Sequence, residues 1–182
     1  MQAIDAFKSQ TVAGLVIDVR SNPGGLLDQV VAIADSLLPK GVIVYTQDRS
    51  GARVDYYSDE DMYDVPLVVL TNESSASASE ILAASVQALN RGVVVGLKTY
   101  GKGIVQTLST FEIDGAGIQY TSSSYYDANG RSIHGVGVTP DIEVALEGDS
   151  IPLNPDPFSD NQLARALEAL NDQIAARGKA GE

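Results

Sequence analysis

The sequence predicts an α/β protein. Short apolar runs alternate with segments whose apolar residues recur at helical spacing, which is the pattern of strand–helix pairs with right-handed crossovers. Beyond residue 96 the pattern changes to β-branched runs separated by turn residues, so more strand follows. The 182 residues, 44% of them hydrophobic, suit one domain with a proper core. A formal net charge of −12 argues against nucleic acid or an anionic membrane as the main partner. With no cysteine, disulfides, thiolate chemistry and Cys-ligated zinc are excluded, a composition that suits an exported bacterial protein without fixing the compartment. No apolar run is long enough for a membrane-spanning helix, and the polar, mixed-charge N-terminus is not a signal peptide.

Each element has its own signal. Ile4 and Phe7 stand at helical spacing, enough for a short amphipathic helix over residues 1–10. Gly14 to Val19 (GLVIDV) predicts a buried strand. Asn22-Pro23 and Gly24-Gly25 punctuate a turn, and residues 26–38 then carry helical periodicity with Asp28 in the first turn. Pro39-Lys40-Gly41 stops that helix before a strand over Val42–Tyr45. Residues 46–64 are polar and charged, a surface hairpin or loop, and the acidic run Asp59-Glu60-Asp61 reads as a solvated loop rather than a metal site. A strand over Val65–Leu70, a Ser-rich turn, a helix over Ser79–Leu89 and a buried strand over Val93–Gly96 follow. Residues 104–113 and 118–124 predict two strands joined at Asp114-Gly115. After a turn at 127–130 and an irregular stretch at 135–141 comes a short strand over 142–146. Residues 147–158 form a Pro-rich linker. Leu163, Leu167, Leu170 and Ile174 mark one face of a C-terminal helix that packs on the core or on a partner, with a frayed tail at 179–182. The expected organisation is a core over 1–146, a linker over 147–158, and a helix with tail over 159–182.

The chain is organised around Asn72 to Ile81 (NESSASASEI). A turn of small hydroxyl residues between a buried strand and a helix leaves one hydroxyl at a helix N-terminus, where free N–H groups favour developing negative charge. That is a place for a serine nucleophile. Ser77 followed by Glu80 also fits a plain capping box. A serine hydroxyl needs a base. The single histidine, His134, sits in a turn and reads as a surface residue. Lys102, between Gly101 and Gly103, is the other option, because a neutral lysine can serve as base and Ser–Lys sites exist; a solvated loop lysine is the bland reading. Gly96 to Gly103 imitates a phosphate-binding loop. It has Gly103 where that loop needs Ser or Thr, and the β-branched run after it predicts a strand where a helix is required. The Asn22–Gly25 turn offers backbone N–H groups that, with the amide of Ala78, could meet an oxyanion; it fits a merely tight loop as well.

Four motifs in one order resemble the C-terminal processing (tail-specific) serine peptidase family. They are Gly14 to Asp28 (GLVIDVRSNPGGLLD), Asn72 to Ile81, Thr99 to Gln106 (TYGKGIVQ) and Tyr125 to Ile133 (YYDANGRSI), the last continuing to Pro140-Asp141-Ile142. The resemblance covers roughly residues 10–145. It implies a crotonase/ClpP-like ββα core with a β-hairpin extension and a C-terminal helix. It implies Ser77 as nucleophile, Lys102 as general base, Gln106 orienting the lysine, and the amides of Gly24 (or Gly25) and Ala78 as the oxyanion hole. Ser74, Ser75 and Ser79 are the alternatives should the register differ. No cofactor or metal is implied. The implied partners are a protein or peptide with a free C-terminus and, in the full-length protein, an upstream PDZ domain; a homo-oligomer is compatible with the C-terminal helix. The implied location is outside the cytoplasm, in the periplasm, at the cell surface or in a plastid lumen. The first strand and helix of the family core are expected to be partly missing, because so little precedes Gly14. Two other classes compete: a non-catalytic binding or scaffold module on the same fold, and a crotonase-like acyl-CoA enzyme, in which a Ser–Lys–Gln set has no role.

Overall fold

A computed structural model describes residues 2–10, 12–113, 115–148 and 150–180. Asp114 of the expected hairpin turn, Asp149 of the expected linker, and Met1, Gly181 and Glu182 at the ends lie outside the described residues. The chain runs α1 (Gln2–Gln10), β1 (Leu15–Asp18), α2 (Leu27–Asp35), β2 (Gly41–Asp48), β3 (Arg53–Ser58), β4 (Leu67–Thr71), α3 (Ala78–Ala88), β5 (Val93–Gly96), β6 (Ile104–Thr110), β7 (Gly117–Asp127), β8 (Ile142–Glu143) and α4 (Asn161–Ala180). It is a mixed α/β fold with one parallel and one antiparallel sheet, each of four strands.

The parallel sheet has the order β1-β4-β5-β8. Its centre explains the uninterrupted apolar runs. Every residue of β4 is buried, and successive side chains point to opposite faces. Leu67 and Val69 join the core under α2 and α3, whereas Val68 and Leu70 join a second core with Ala166, Ala169 and Leu170 of α4. Val94 and Val95 of β5 divide between the cores in the same way. α4 therefore covers one face of the sheet. Gly14 permits close packing there, since a Cβ on it would lie 2.9 Å from Leu170 Cδ1. Glu147 N donates to Asn161 Oδ1 (2.9 Å) and Gln162 Nε2 to Val144 O (2.7 Å), so the end of β8 is tied to the start of α4 across residues 147–160.

The antiparallel sheet has the order β3-β2-β7-β6. The polar stretch 46–64 resolves into a β2–β3 hairpin, whose tip is closed by Asp48 Oδ1 accepting from Ser50 N (2.8 Å) and Ala52 N (2.9 Å). The expected strand at 118–124 extends to Asp127, because Tyr125 and Tyr126 pair with β2 and the Tyr125 side chain is buried in the main core. The expected strand at 142–146 shortens to two residues, beyond which Val144 to Leu146 turn toward α4. Ile104 opens β6 rather than a helix, so the phosphate-loop imitation at 96–103 leads into a strand. No helix among the described residues is long and apolar enough to cross a membrane.

Candidate active site

The Ser-rich turn lies just beyond the C-terminal end of the central strand β4, where ligands bind in parallel sheets. Its serines are not equivalent. The Ser75 hydroxyl is fully buried and donates to Val19 O (2.8 Å), and the Ser79 hydroxyl donates to Asn22 O (3.0 Å). Ala76 N donates to the same Asn22 carbonyl (3.0 Å), and Asn72 Oδ1 accepts from Ser21 N (2.8 Å) and from Ser74 N (3.1 Å). These bonds stitch the turn to the loop after β1. Small hydroxyl residues are needed there because two backbone segments approach too closely for larger side chains, and their polar groups must pair.

Ser77 is the exception. It is half-buried, with φ 56° and ψ −117°, a backbone conformation that non-glycine residues rarely adopt. The capping pattern is present, with Ser77 N donating to Glu80 Oε2 (2.9 Å), but the Ser77 hydroxyl makes no cap hydrogen bond of normal geometry. Gly24 abuts it. A Cβ on Gly24, whose φ is 101°, would lie 2.6 Å from Ala76 O and 2.8 Å from both Ala78 N and Ser77 Cβ. Only glycine fits that conformation and that space. The Gly24 N–H donates to Asn22 Oδ1 (2.9 Å), whereas a Cβ on Gly25 would meet nothing within 4 Å.

Glu80 ties the turn to Lys102, a role that sequence reading reduced to capping. Its carboxylate is fully buried and accepts four hydrogen bonds. Oε1 takes Thr99 Oγ1 (2.6 Å) and Gly101 N (2.7 Å), while Oε2 takes Lys102 N (2.8 Å) and Ser77 N (2.9 Å). One oxygen thus holds the backbone amides of both Ser77 and Lys102. A buried anion at a helix N-terminus with every lone pair used is well stabilised. The sequence signal for it was the spacing of Glu80 in the first turn of α3, but nothing local names its partners 19–22 residues on.

The other candidates are placed less tightly. The Lys102 side chain is exposed, and among the described residues its ammonium has no carboxylate partner. Gln106 stands on β6 beyond a bulge, and its Oε1 accepts from Gln119 Nε2 (2.9 Å) rather than from Lys102. His134 is exposed and lines a surface hollow with Ile104, Ser124 and Tyr126, a set that contains neither Ser77 nor Glu80.

A second buried network anchors the loop that carries Gly24. The Arg20 side chain is fully buried; Nη2 donates to Asp18 Oδ2 and Asp160 Oδ2 (both 2.7 Å) and Nη1 to Gln162 Oε1 (2.9 Å). Burial works against the charge on Arg20, but its hydrogen bonds to Asp18 and Asp160 outweigh that and raise its pKa. Burial likewise opposes ionisation of Asp160, yet the Arg20 bond and the amides of α4 hold its carboxyl below the usual carboxylate range. A depressed folded-state pKa contributes stability that is complete above the unfolded value of about 4 and is lost as pH falls through the folded value. Asp160→Asn is expected to cost about 3–5 kcal/mol at neutral pH, because Arg20 loses one buried counter-charge. Urea titrations at pH 7 and pH 3 check this, and the gap between parent and variant narrows at the lower pH.

Comparison with known proteins agrees with these positions. A carboxyl-terminal-processing protease of Synechocystis sp. is 40% identical over 181 residues, covering 97% of this chain and 41% of the relative. A C-terminal processing peptidase of Tetradesmus obliquus, named chloroplastic, is 40% identical over 148 residues, covering 80% of this chain and 32% of the relative. Among solved structures, a photosystem II D1 C-terminal processing protease superposes with a TM-score of 0.75 at 37% identity, over 84% of this chain and 39% of that one. The class these likenesses define is a protease of the serine-type, carboxyl-terminal processing kind. The family's sequence profile matches residues 1–144, and the chain belongs to peptidase family S41. It spans about two fifths or less of the length of these relatives.

Proposed function

We propose that this chain is the catalytic core of a serine endopeptidase that cuts protein C-terminal tails with a Ser–Lys dyad. The observation that carries the reading is the shared carboxylate of Glu80, which holds the backbones of Ser77 and Lys102 on one oxygen beside the Gly24 loop. Ser77 Oγ attacks the scissile carbonyl, and Lys102, as the neutral amine, takes the hydroxyl proton. The carbonyl π electrons move onto oxygen, which is received by Ala78 N and by Gly24 N once the Asn22 carboxamide turns away from it. The Lys102 ammonium then protonates the leaving amine as the C–N bond breaks. Water, deprotonated by the same amine, releases the acyl group. Gln106 orients Lys102 in this scheme, which requires its carboxamide to leave Gln119.

The same reading takes the core as crotonase/ClpP-like. It adds an upstream PDZ domain in the full-length protein, a location outside the cytoplasm and, in some states, self-association. All of these follow from the resemblance to tail-specific peptidases. A second reading, a binding module without turnover, draws on one observation: in the resting geometry both the Gly24 amide and the Gln106 oxygen are engaged elsewhere.

The deciding experiment is turnover of an unfolded protein with a free apolar C-terminus, together with labelling by a fluorophosphonate probe. Cleavage and labelling that vanish in Ser77→Ala support the peptidase. Neither activity in this chain nor in one extended upstream favours the binding module. Gly24→Ala is expected to lower kcat/KM by more than about 100-fold, because a Cβ there pushes the loop off Ser77 and the oxyanion donors separate. Its stability falls by about 1–3 kcal/mol from backbone strain. Peptide-hydrolysis kinetics and thermal melts read the two effects.

A further inference from the structure

A pocket of about 190 Å³ opens beside Ser77, between the Gly24-Gly25 loop and the first turn of α3. Its walls are aliphatic: Leu26 at the start of α2, Val30 and Ile33 along α2, and Leu82 of α3. Gln29 is the polar side chain that α2 contributes, and no charged side chain lines the pocket. Leu26 is 73% exposed at the rim, where an apolar side chain has no partner within the chain to cover it. The backbone of Ala78 and Gly24 forms the end nearest the nucleophile, while neither Lys102 nor Gln106 reaches the pocket.

We infer that this pocket receives the substrate side chain on the acyl side of the scissile bond, and that it selects uncharged aliphatic residues there. The inference rests on the peptidase reading of Ser77. The argument is one of directions around the attacked carbon. That carbon carries an oxygen, which goes to the amides of the loop and of Ala78, and a leaving nitrogen, which must lie near the group that protonates it. Lys102 enters from the β5–β6 loop and stands outside the pocket. The remaining substituent is the acyl-side Cα, and the space left for its side chain is the cavity flanked by the two donor amides on the side away from Lys102. Aliphatic walls reward burial of an apolar side chain and leave a carboxylate or ammonium without a partner.

The test uses the Ser77→Ala form, which binds without turnover, labelled with ¹⁵N and titrated with hexapeptides that differ only in a C-terminal Leu, Ala, Glu or Lys. These correspond to acyl-side products. The Leu-ended peptide is expected to bind at least about tenfold more tightly than the Glu-ended one and to shift the amides of Gly25, Leu26, Gln29 and Ile33. Ile33→Phe fills the pocket and removes that preference. Gln29→Glu, at an exposed position that leaves the fold intact, raises Lys-ended over Leu-ended binding by about tenfold and keeps the test sound should Ile33→Phe misfold. Equal affinity for Leu- and Glu-ended peptides, shifts confined to another surface, or an unchanged Lys-to-Leu ratio in Gln29→Glu would each overturn the assignment. The same peptides extended past the scissile bond are then offered to the unmodified chain. Selective binding without cleavage sinks the peptidase reading and leaves an aliphatic side-chain site; cleavage without acyl-side preference sinks the pocket assignment and leaves the peptidase.

Discussion

Ser77→Ala and Lys102→Ala are each expected to reduce kcat/KM on an unfolded protein substrate by at least about 10⁴-fold, to background, because the two residues act as one unit. Stability is expected to stay within about 1–2 kcal/mol of the parent in both variants. The structure says why the effects separate. The Ser77 hydroxyl makes no cap hydrogen bond of normal geometry, so losing it leaves no buried group unpaired. Lys102 is held through its backbone N–H, at 2.8 Å from Glu80 Oε2, and its exposed side chain can be shortened without touching that bond. A lysine base works only when neutral, so kcat/KM in the parent rises with pH along a single ionisation. Residual turnover in Ser77→Ala above a mock preparation, or a rate independent of pH from 5 to 9, would count against the dyad. Chemical denaturation of the three proteins side by side gives the stability comparison.

Glu80→Gln carries the second large effect, on stability and rate together. The substitution preserves shape but replaces one acceptor oxygen with an NH₂ group facing two donors. Either the pair Ser77 N and Lys102 N or the pair Thr99 Oγ1 and Gly101 N loses its acceptor, in a site with no water access. Two buried hydrogen bonds to a charge are replaced by donor–donor contacts, at a cost of about 3–5 kcal/mol. The 99–102 loop then moves away from α3, and the base moves with it. A displacement of about 1 Å between reacting groups costs on the order of 100-fold in rate, so kcat falls even at temperatures where the variant is folded. Leu170→Ala is the control. It opens a cavity between α4 and β4 far from the turn, at about 2–5 kcal/mol, and leaves kcat of the folded fraction unchanged. If Glu80→Gln and Leu170→Ala lower stability alike and both keep full kcat, Glu80 is a structural residue and does not position the dyad.

Much of the fold could be read locally. The runs at 65–70 and 93–96 had to be central strands, because period-2 side chains that are apolar on both faces need cover on both faces. The helices over 27–35, 78–88 and 161–180 showed their periodicity. The strands at 53–58 and 125–127 were hidden, the first inside a charged stretch and the second behind a turn signal, since sheet pairing draws on partners distant in sequence. The same distinction runs through the site. Ser77, Lys102 and the Gly24 loop stood out as motifs in a resemblance to the family. The division of labour among Ser75, Ser77 and Ser79 did not, because a serine that pairs with the Val19 or Asn22 carbonyl looks the same in sequence as one left free of the helix cap.

The sequence by itself determined the class of fold, the family and the candidate residues, since these rest on periodicity, turn chemistry and motif order along the chain. Only the tertiary structure decided how the candidates are held. Glu80 reaches 19 to 22 residues ahead to fix Lys102 against Ser77, and Arg20 reaches about 140 residues ahead to Asp160 and so binds the Gly24 loop to α4. The physical reason is that a buried charge must find its partners in space, and no spacing along the chain records where they lie.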